Sequence, residues 1–139
     1  SHNEAYIALS ASATLGIDVE HIRPPTRHRW IDLAQRFFSV AEIQALSDLP
    51  ERLQSKSFFA CWTRKEAYLK RHGLGLRLPL SGFTVNVDPV ESACLVETPW
   101  RPEDLMTTRL QDVPTPSGYQ TALAVSSPQL KTLRCYTSN

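Results

Sequence analysis

The stretch CWTRKEAYLKR, Cys61–Arg71, sets Glu66 and Lys70 four residues apart, so in a helix they share one face, with Trp62 one turn back. Such a pair has two readings. One is a helix-stabilising ion pair worth about 0.3–0.5 kcal/mol. The other is a carboxylate and an ammonium set to handle a metal and a phosphate, with Lys65 as a second cation. An acidic pair stands earlier, in GIDVEH: Asp18 and Glu20 lie two apart on a predicted strand, so both side chains leave the same face. Their Cα atoms are expected about 6.5–7 Å apart, close enough for the carboxylates to converge on one cation. Hard oxygen ligands of this kind suit Mg²⁺, which keeps several waters and is commonly shared with substrate phosphates. An exposed strand face carrying two ordinary acids accounts for the same pair, and in either case Ile17 and Val19 are expected to face the core.

Glu42 has a structural explanation of its own. Ser39-Val40-Ala41-Glu42 is a capping box, in which the Glu side chain returns to the N-cap amide. Capping is its expected main role, and Glu42→Gln is expected to be mild because Gln also serves in such a box. The glycines of HGLGLRL end a helix and turn the chain; as a phosphate-binding motif, GxG alone is weak.

The elements that must position these residues follow from period and punctuation. EAYIALS (Glu4–Ser10) and TLGIDVE (Thr14–Glu20) read as strands, and IRPPT then stops regular structure. RHRWIDLAQRFF has helical spacing at Trp30, Leu33, Ala34 and Phe37, and SVAEIQAL predicts a second short helix with Ser39 as N-cap. A long helix is predicted from about Pro50 to His72, stopped by Gly73. GFTVNV alternates Phe83, Val85 and Val87, and ACLVET, YQTALAV and TLRCYT are further strand candidates. The polar, proline-rich segment Thr98–Gly118 reads as a long surface loop. The order implies an α+β fold: a largely antiparallel sheet with helices packed on one face.

The bulk numbers bound the rest. The chain's 139 residues suit one domain, or one half of a pseudo-symmetric pair. With 42% hydrophobic and 21% charged residues it can bury a core. A net charge of +1 argues against a nucleic-acid partner, and no apolar run approaches a membrane span or forms a secretion signal. Cys61, Cys94 and Cys135 are odd in number and widely spaced, which suggests neither a disulfide framework nor a zinc site. A reducing, cytoplasmic setting is the expectation, with Cys61 as a small buried hydrophobe. The sequence opens without an initiator Met, which reads as a processed or truncated chain.

Taken in order, GIDVE, FFSVAEIQAL and WTRKEAYLKRHGLGL followed by PL and FTV closely resemble the 4′-phosphopantetheinyl transferase superfamily, in its larger, surfactin-type, two-half subfamily. The matching positions are Gly16, Asp18 and Glu20; Phe38, Ser39 and Glu42; and Trp62, Thr63, Lys65, Glu66, Ala67 and Lys70. The opening Ser1-His2 resembles the family's Ser-His ahead of the acidic strand. The motifs cover roughly Ser1 to Val87, and the chain resembles the second half of the two-half enzymes. The resemblance implies Mg²⁺-dependent transfer of the phosphopantetheine arm of coenzyme A to a serine of an apo acyl or peptidyl carrier protein, releasing 3′,5′-ADP. It implies that Asp18, Glu20 and Glu66 hold Mg²⁺ and that Lys70 steadies the cleaved phosphate. Lys65 would add positive field or a structural contact in cofactor binding, His2 would bind a coenzyme A phosphate, and Glu66 would help deprotonate the serine. Without the first half, an exposed apolar face would favour homo-oligomers. Two rivals are a carrier-protein-binding module without transferase activity and an unrelated Mg²⁺-dependent phosphohydrolase.

Overall fold

A computed structural model describes residues 4–24, 29–126 and 133–136. The elements run β1 (Leu15–His21), α1 (Arg29–Phe37), α2 (Val40–Asp48), α3 (Glu51–His72), two single 3₁₀ turns, β2 (Thr84–Val85), β3 (Leu95–Glu97), α4 (Asp104–Thr107), β4 (Arg109–Asp112) and β5 (Tyr119–Val125). Among the described residues, β1, β5 and β4 form one antiparallel sheet in that spatial order, and β2 pairs with β3 in a second. Helix α3 lies against β1 and β5, with α1 and α2 beside it. This is the expected α+β arrangement.

Helix α3 is the axis of the core. From Ser57 to Leu69 every residue is buried except Trp62 and Glu66, which are half-buried, and Lys70 then emerges into solvent. The helix is therefore surrounded on nearly all sides, and the strip Trp62–Glu66–Lys70 is what remains open. Trp62 packs on Phe58 at 5.9 Å and meets Phe37 edge-on at 5.7 Å. The charged residues beside the aromatic cluster thus split into two kinds: Arg64 and Lys65 point inward, while Glu66 and Lys70 line the open strip. The helix ends in a Schellman arrangement, in which the Leu74 amide donates to the Leu69 carbonyl (3.4 Å) and the Gly73 amide to Lys70 (3.1 Å). Gly73 has φ 65°, a conformation a side chain would strain.

Strand β1 faces the opposite way from the expectation. Gly16 and Asp18 are buried towards α3, while Ile17 and Val19 are half-buried on the other face. The register aligns Gly16 with Ala124 and Asp18 with Ala122, both core residues. The physical reason is Gly16. A Cβ there would lie 2.0 Å from the Ala67 carbonyl oxygen and 2.3 Å from the Arg71 nitrogen, so strand and helix backbones approach at this point. Only glycine permits that approach, and it carries Asp18, two residues on, against the last turns of α3. We expect Gly16→Ala to destabilise the chain by about 1–3 kcal/mol or more, because the obstructing atoms are helix backbone and cannot rotate away. Urea unfolding checks this.

Other expectations meet different outcomes. Glu4–Ser10 alternates inward Tyr6 and Ala8 with exposed Ile7 and Leu9, yet belongs to neither sheet. Instead the Ser10 hydroxyl accepts from the amides of Ser12 and Ala13, closing a local turn. Phe83, Val85 and Val87 are buried as expected, but Thr84 between the first two is buried as well, and the ladder is confined to Thr84–Val85. The segment Thr98–Gly118 is not simply a surface loop. It contains α4 and β4 and buries Thr98, Asp104 and Leu110. Of TLRCYT, residues 133–136 are in no helix or strand, and the others lie outside the described residues. No helix among the described residues is long and apolar enough to cross a membrane.

Candidate active site

The site forms where β1 meets the open strip of α3. The Lys70 Nζ donates to Asp18 Oδ1 at 2.6 Å, joining residues 52 apart in sequence. Lys70 is half exposed, whereas the Asp18 side chain is 9% exposed. The second oxygen of Asp18, Oδ2, is buried and has no hydrogen-bond partner. Glu66 lies one helical turn before Lys70. Its half-buried position pushes its carboxyl above the usual carboxylate range; Asp18 pushes it further, Lys70 opposes, and Glu20 adds a smaller upward push. Asp18, Glu20, Glu66 and Lys70 thus form one electrostatic neighbourhood. Beside it, a cleft of about 440 Å³ is lined by Asp18, Glu20, Lys70 and the segment Glu4–Tyr6.

This arrangement suits a hard divalent cation in donor chemistry. A buried carboxylate oxygen without a partner is costly, and an oxygen-seeking cation would satisfy it. A carboxylate raised by burial, and further by like-charged neighbours, is likewise relieved by a cation. Among the described residues, however, no three Asp, Glu, His or Cys side chains are gathered into a ready ligand set. The carboxylates are neighbours, with the Lys70 ammonium on one of the oxygens.

Lys65 lies elsewhere. Its side chain is fully buried and donates to Glu42 Oε1 at 2.6 Å and to the Phe83 carbonyl at 2.5 Å, with its ammonium 4.2 Å from the Phe83 ring centre. An ammonium with no exposed surface cannot meet a cofactor phosphate, so the cofactor-binding place expected of Lys65 is corrected to a structural contact. Glu42 is its partner and more than a cap. The capping box is present, with the Ser39 amide donating to Glu42 Oε2 (2.8 Å) and the Glu42 amide donating to Ser39 Oγ (3.3 Å). Oε1 also accepts from the Val85 amide at 2.8 Å, so one buried carboxylate ties α2, α3 and β2 together. His2 lies outside the described residues.

Two further polar clusters had no sequence signal. Arg64 is buried and grips Asp112 through two nitrogens, with its remaining donors on the carbonyls of Asn86, Asp88 and Glu91. Asp104 accepts from the Tyr68 hydroxyl at 2.6 Å and sits 2.7 Å from His72 Nε2, pinning α4 to the end of α3. Burial, then the Arg71 charge, lowers His72 below its ordinary value, against the pull of Asp104. A histidine held neutral in the fold must be charged when acid unfolds the chain. Stability should therefore fall as pH drops below about 6.5, His72's ordinary value. Urea unfolding at pH 7 and pH 5 checks this, with His72→Gln expected to flatten the dependence.

Residues 14–124 match the 4′-phosphopantetheinyl transferase superfamily. The chain is 38% identical over 99 residues to the 4′-phosphopantetheinyl transferase HetI of Nostoc sp., which covers 71% of this chain and 40% of that protein. It is 36% identical over 76 residues to the 4′-phosphopantetheinyl transferase Sfp of Bacillus subtilis, covering 55% of this chain and 32% of that one. The chain therefore spans well under half the length of these curated relatives. Among solved structures, the Thermotoga maritima holo-[acyl-carrier-protein] synthase matches with a TM-score of 0.57 at 18% identity, over 82% of this chain and 62% of that one. The Helicobacter pylori holo-[acyl-carrier-protein] synthase in complex with coenzyme A matches with a TM-score of 0.51 at 22% identity, over 81% and 99%. At such identities the likeness is one of fold. The sequence match over most of its length places the chain in the 4′-phosphopantetheinyl transferase superfamily.

Proposed function

We propose that the chain carries the metal-binding and catalytic strip of a 4′-phosphopantetheinyl transferase, moving the phosphopantetheine arm of coenzyme A onto a serine of an apo acyl or peptidyl carrier protein. The observation that carries this reading is the meeting of Asp18, from β1, with Lys70 and half-buried Glu66, from α3, in a superfamily member. Asp18, Glu20 and Glu66 would hold Mg²⁺, which when bound neutralises pyrophosphate charge. Phosphoryl transfer asks a protein mainly for positioning and charge neutralisation, and these residues are suited to both.

The serine oxygen bonds to the phosphorus bearing the pantetheine, the bond from that phosphorus to the leaving phosphate breaks, and 3′,5′-ADP departs. Glu66, half-buried on the same strip as Lys70, takes the serine proton as general base. Lys70, with its half-exposed ammonium, offers N–H donors to the departing phosphate. His2 is assigned to a coenzyme A phosphate by family resemblance. The chain's length against its relatives fits one unit, residues 1–139, of a two-unit enzyme, with the setting proposed as cytoplasmic and the pathway set by the carrier. A chain lacking its complementary unit would be drawn to a second copy of itself.

Chromatographic detection of 3′,5′-ADP tests the reading. We expect release only when the chain, coenzyme A, Mg²⁺ and an apo carrier protein are all present. Release without carrier would indicate a phosphohydrolase, and carrier binding without release would indicate a docking module.

A further inference from the structure

We propose that Lys70 is the resting counter-cation of Asp18, displaced when a divalent cation binds, so that metal loading frees the ammonium for a phosphate. The inference rests on the reading of Asp18, Glu20 and Glu66 as a cation site, and adds an order to it. Asp18 is fixed: it lies on a paired strand and is almost wholly buried. Lys70 is its mobile partner, half exposed on a flexible four-carbon stem, beside a cleft with room for a displaced ammonium.

The ammonium satisfies only one of the two carboxylate oxygens, because Oδ2 is buried without a hydrogen-bond partner. A monovalent ion pair that leaves a buried acceptor unmet is a poor end state. A dication taking the carboxylate would also repel an ammonium held 2.6 Å from Oδ1. Lys70 then leaves, and the nearest new anion in the proposed reaction is the pyrophosphate brought to the same ion. Cation binding would thus precede the phosphate contact of Lys70, and the ion pair would protect Asp18 from standing as an unpaired buried charge until then.

The test follows the ammonium itself. The full chain is labelled with ¹⁵N-lysine, the Lys70 Nζ resonance is assigned by its absence in Lys70→Met, and Mg²⁺ is added while calorimetry measures binding. We expect a protected Lys70 ammonium resonance without metal, lost to solvent exchange once Mg²⁺ saturates the site. Removing a competing cation should also tighten Mg²⁺ binding by Lys70→Met roughly tenfold, the low end of the one to three powers of ten by which a neighbouring opposite charge alters a carboxylate's proton affinity. Mg²⁺ binding that Asp18→Asn abolishes, with the Lys70 resonance unchanged, would overturn displacement and leave the cation site standing. Absence of binding in both wild type and Lys70→Met would overturn the cation site, and displacement with it.

Discussion

Glu42→Gln should be among the most destabilising single substitutions in this chain, although a capping box alone predicts a mild effect. Gln keeps the box but removes the charge facing Lys65, whose ammonium is fully buried. Breaking a buried pair by neutralising one partner typically costs about 3–5 kcal/mol, a large part of a domain's whole stability. The double variant Glu42→Gln/Lys65→Met removes the stranded charge and should recover much of the loss. Urea or thermal unfolding of the four chains reads both effects as a double-mutant cycle. A mild single variant would mean that the Lys65 ammonium finds water or another partner, and the buried pair would lose its structural role.

The second large effect concerns chemistry. Glu66→Gln should lower phosphopantetheinyl transfer by about a hundredfold or more, the range for losing a general base. Its side chain is only half-buried, at the edge of the strip, so urea unfolding should shift little. Asp18→Asn should lose transfer to a similar degree, and Lys70 then loses its partner as well. Raising Mg²⁺ should partly rescue Asp18→Asn if Glu20 and Glu66 still bind the ion, but should leave Glu66→Gln impaired if Glu66 takes the proton. Wild-type rates in either variant would remove that residue from the mechanism.

These effects also show where sequence and structure part. Period and punctuation located α3 almost to the residue, because a long helix with a glycine stop has a strong local signature. The four-residue spacing of Glu66 and Lys70 likewise put them on one strip. The facing of β1 was not legible by the ordinary rule that apolar residues turn inward. Gly16, Asp18 and Glu20 look like a polar outer face, yet the glycine lets the helix backbone come down on that side, and Lys70 answers the charge of Asp18.

Lys65 shows a deeper limit. It stands one residue from Glu66, and its partner Glu42 is 23 residues away, so its inward direction depends on how α2 and β2 close over α3. Asp104 lies in a segment whose polar, proline-rich composition reads as loop. Its value comes from reaching Tyr68 and His72, and spacing cannot reveal that contact.

The most direct test of the central claim is intact-protein mass spectrometry of an apo carrier protein incubated with the chain, coenzyme A and Mg²⁺. We expect a gain of one phosphopantetheine group, absent with EDTA and at least about a hundredfold slower with Asp18→Asn. A carrier unchanged in mass, or a gain at the wild-type rate when Asp18 is replaced, would contradict this reading.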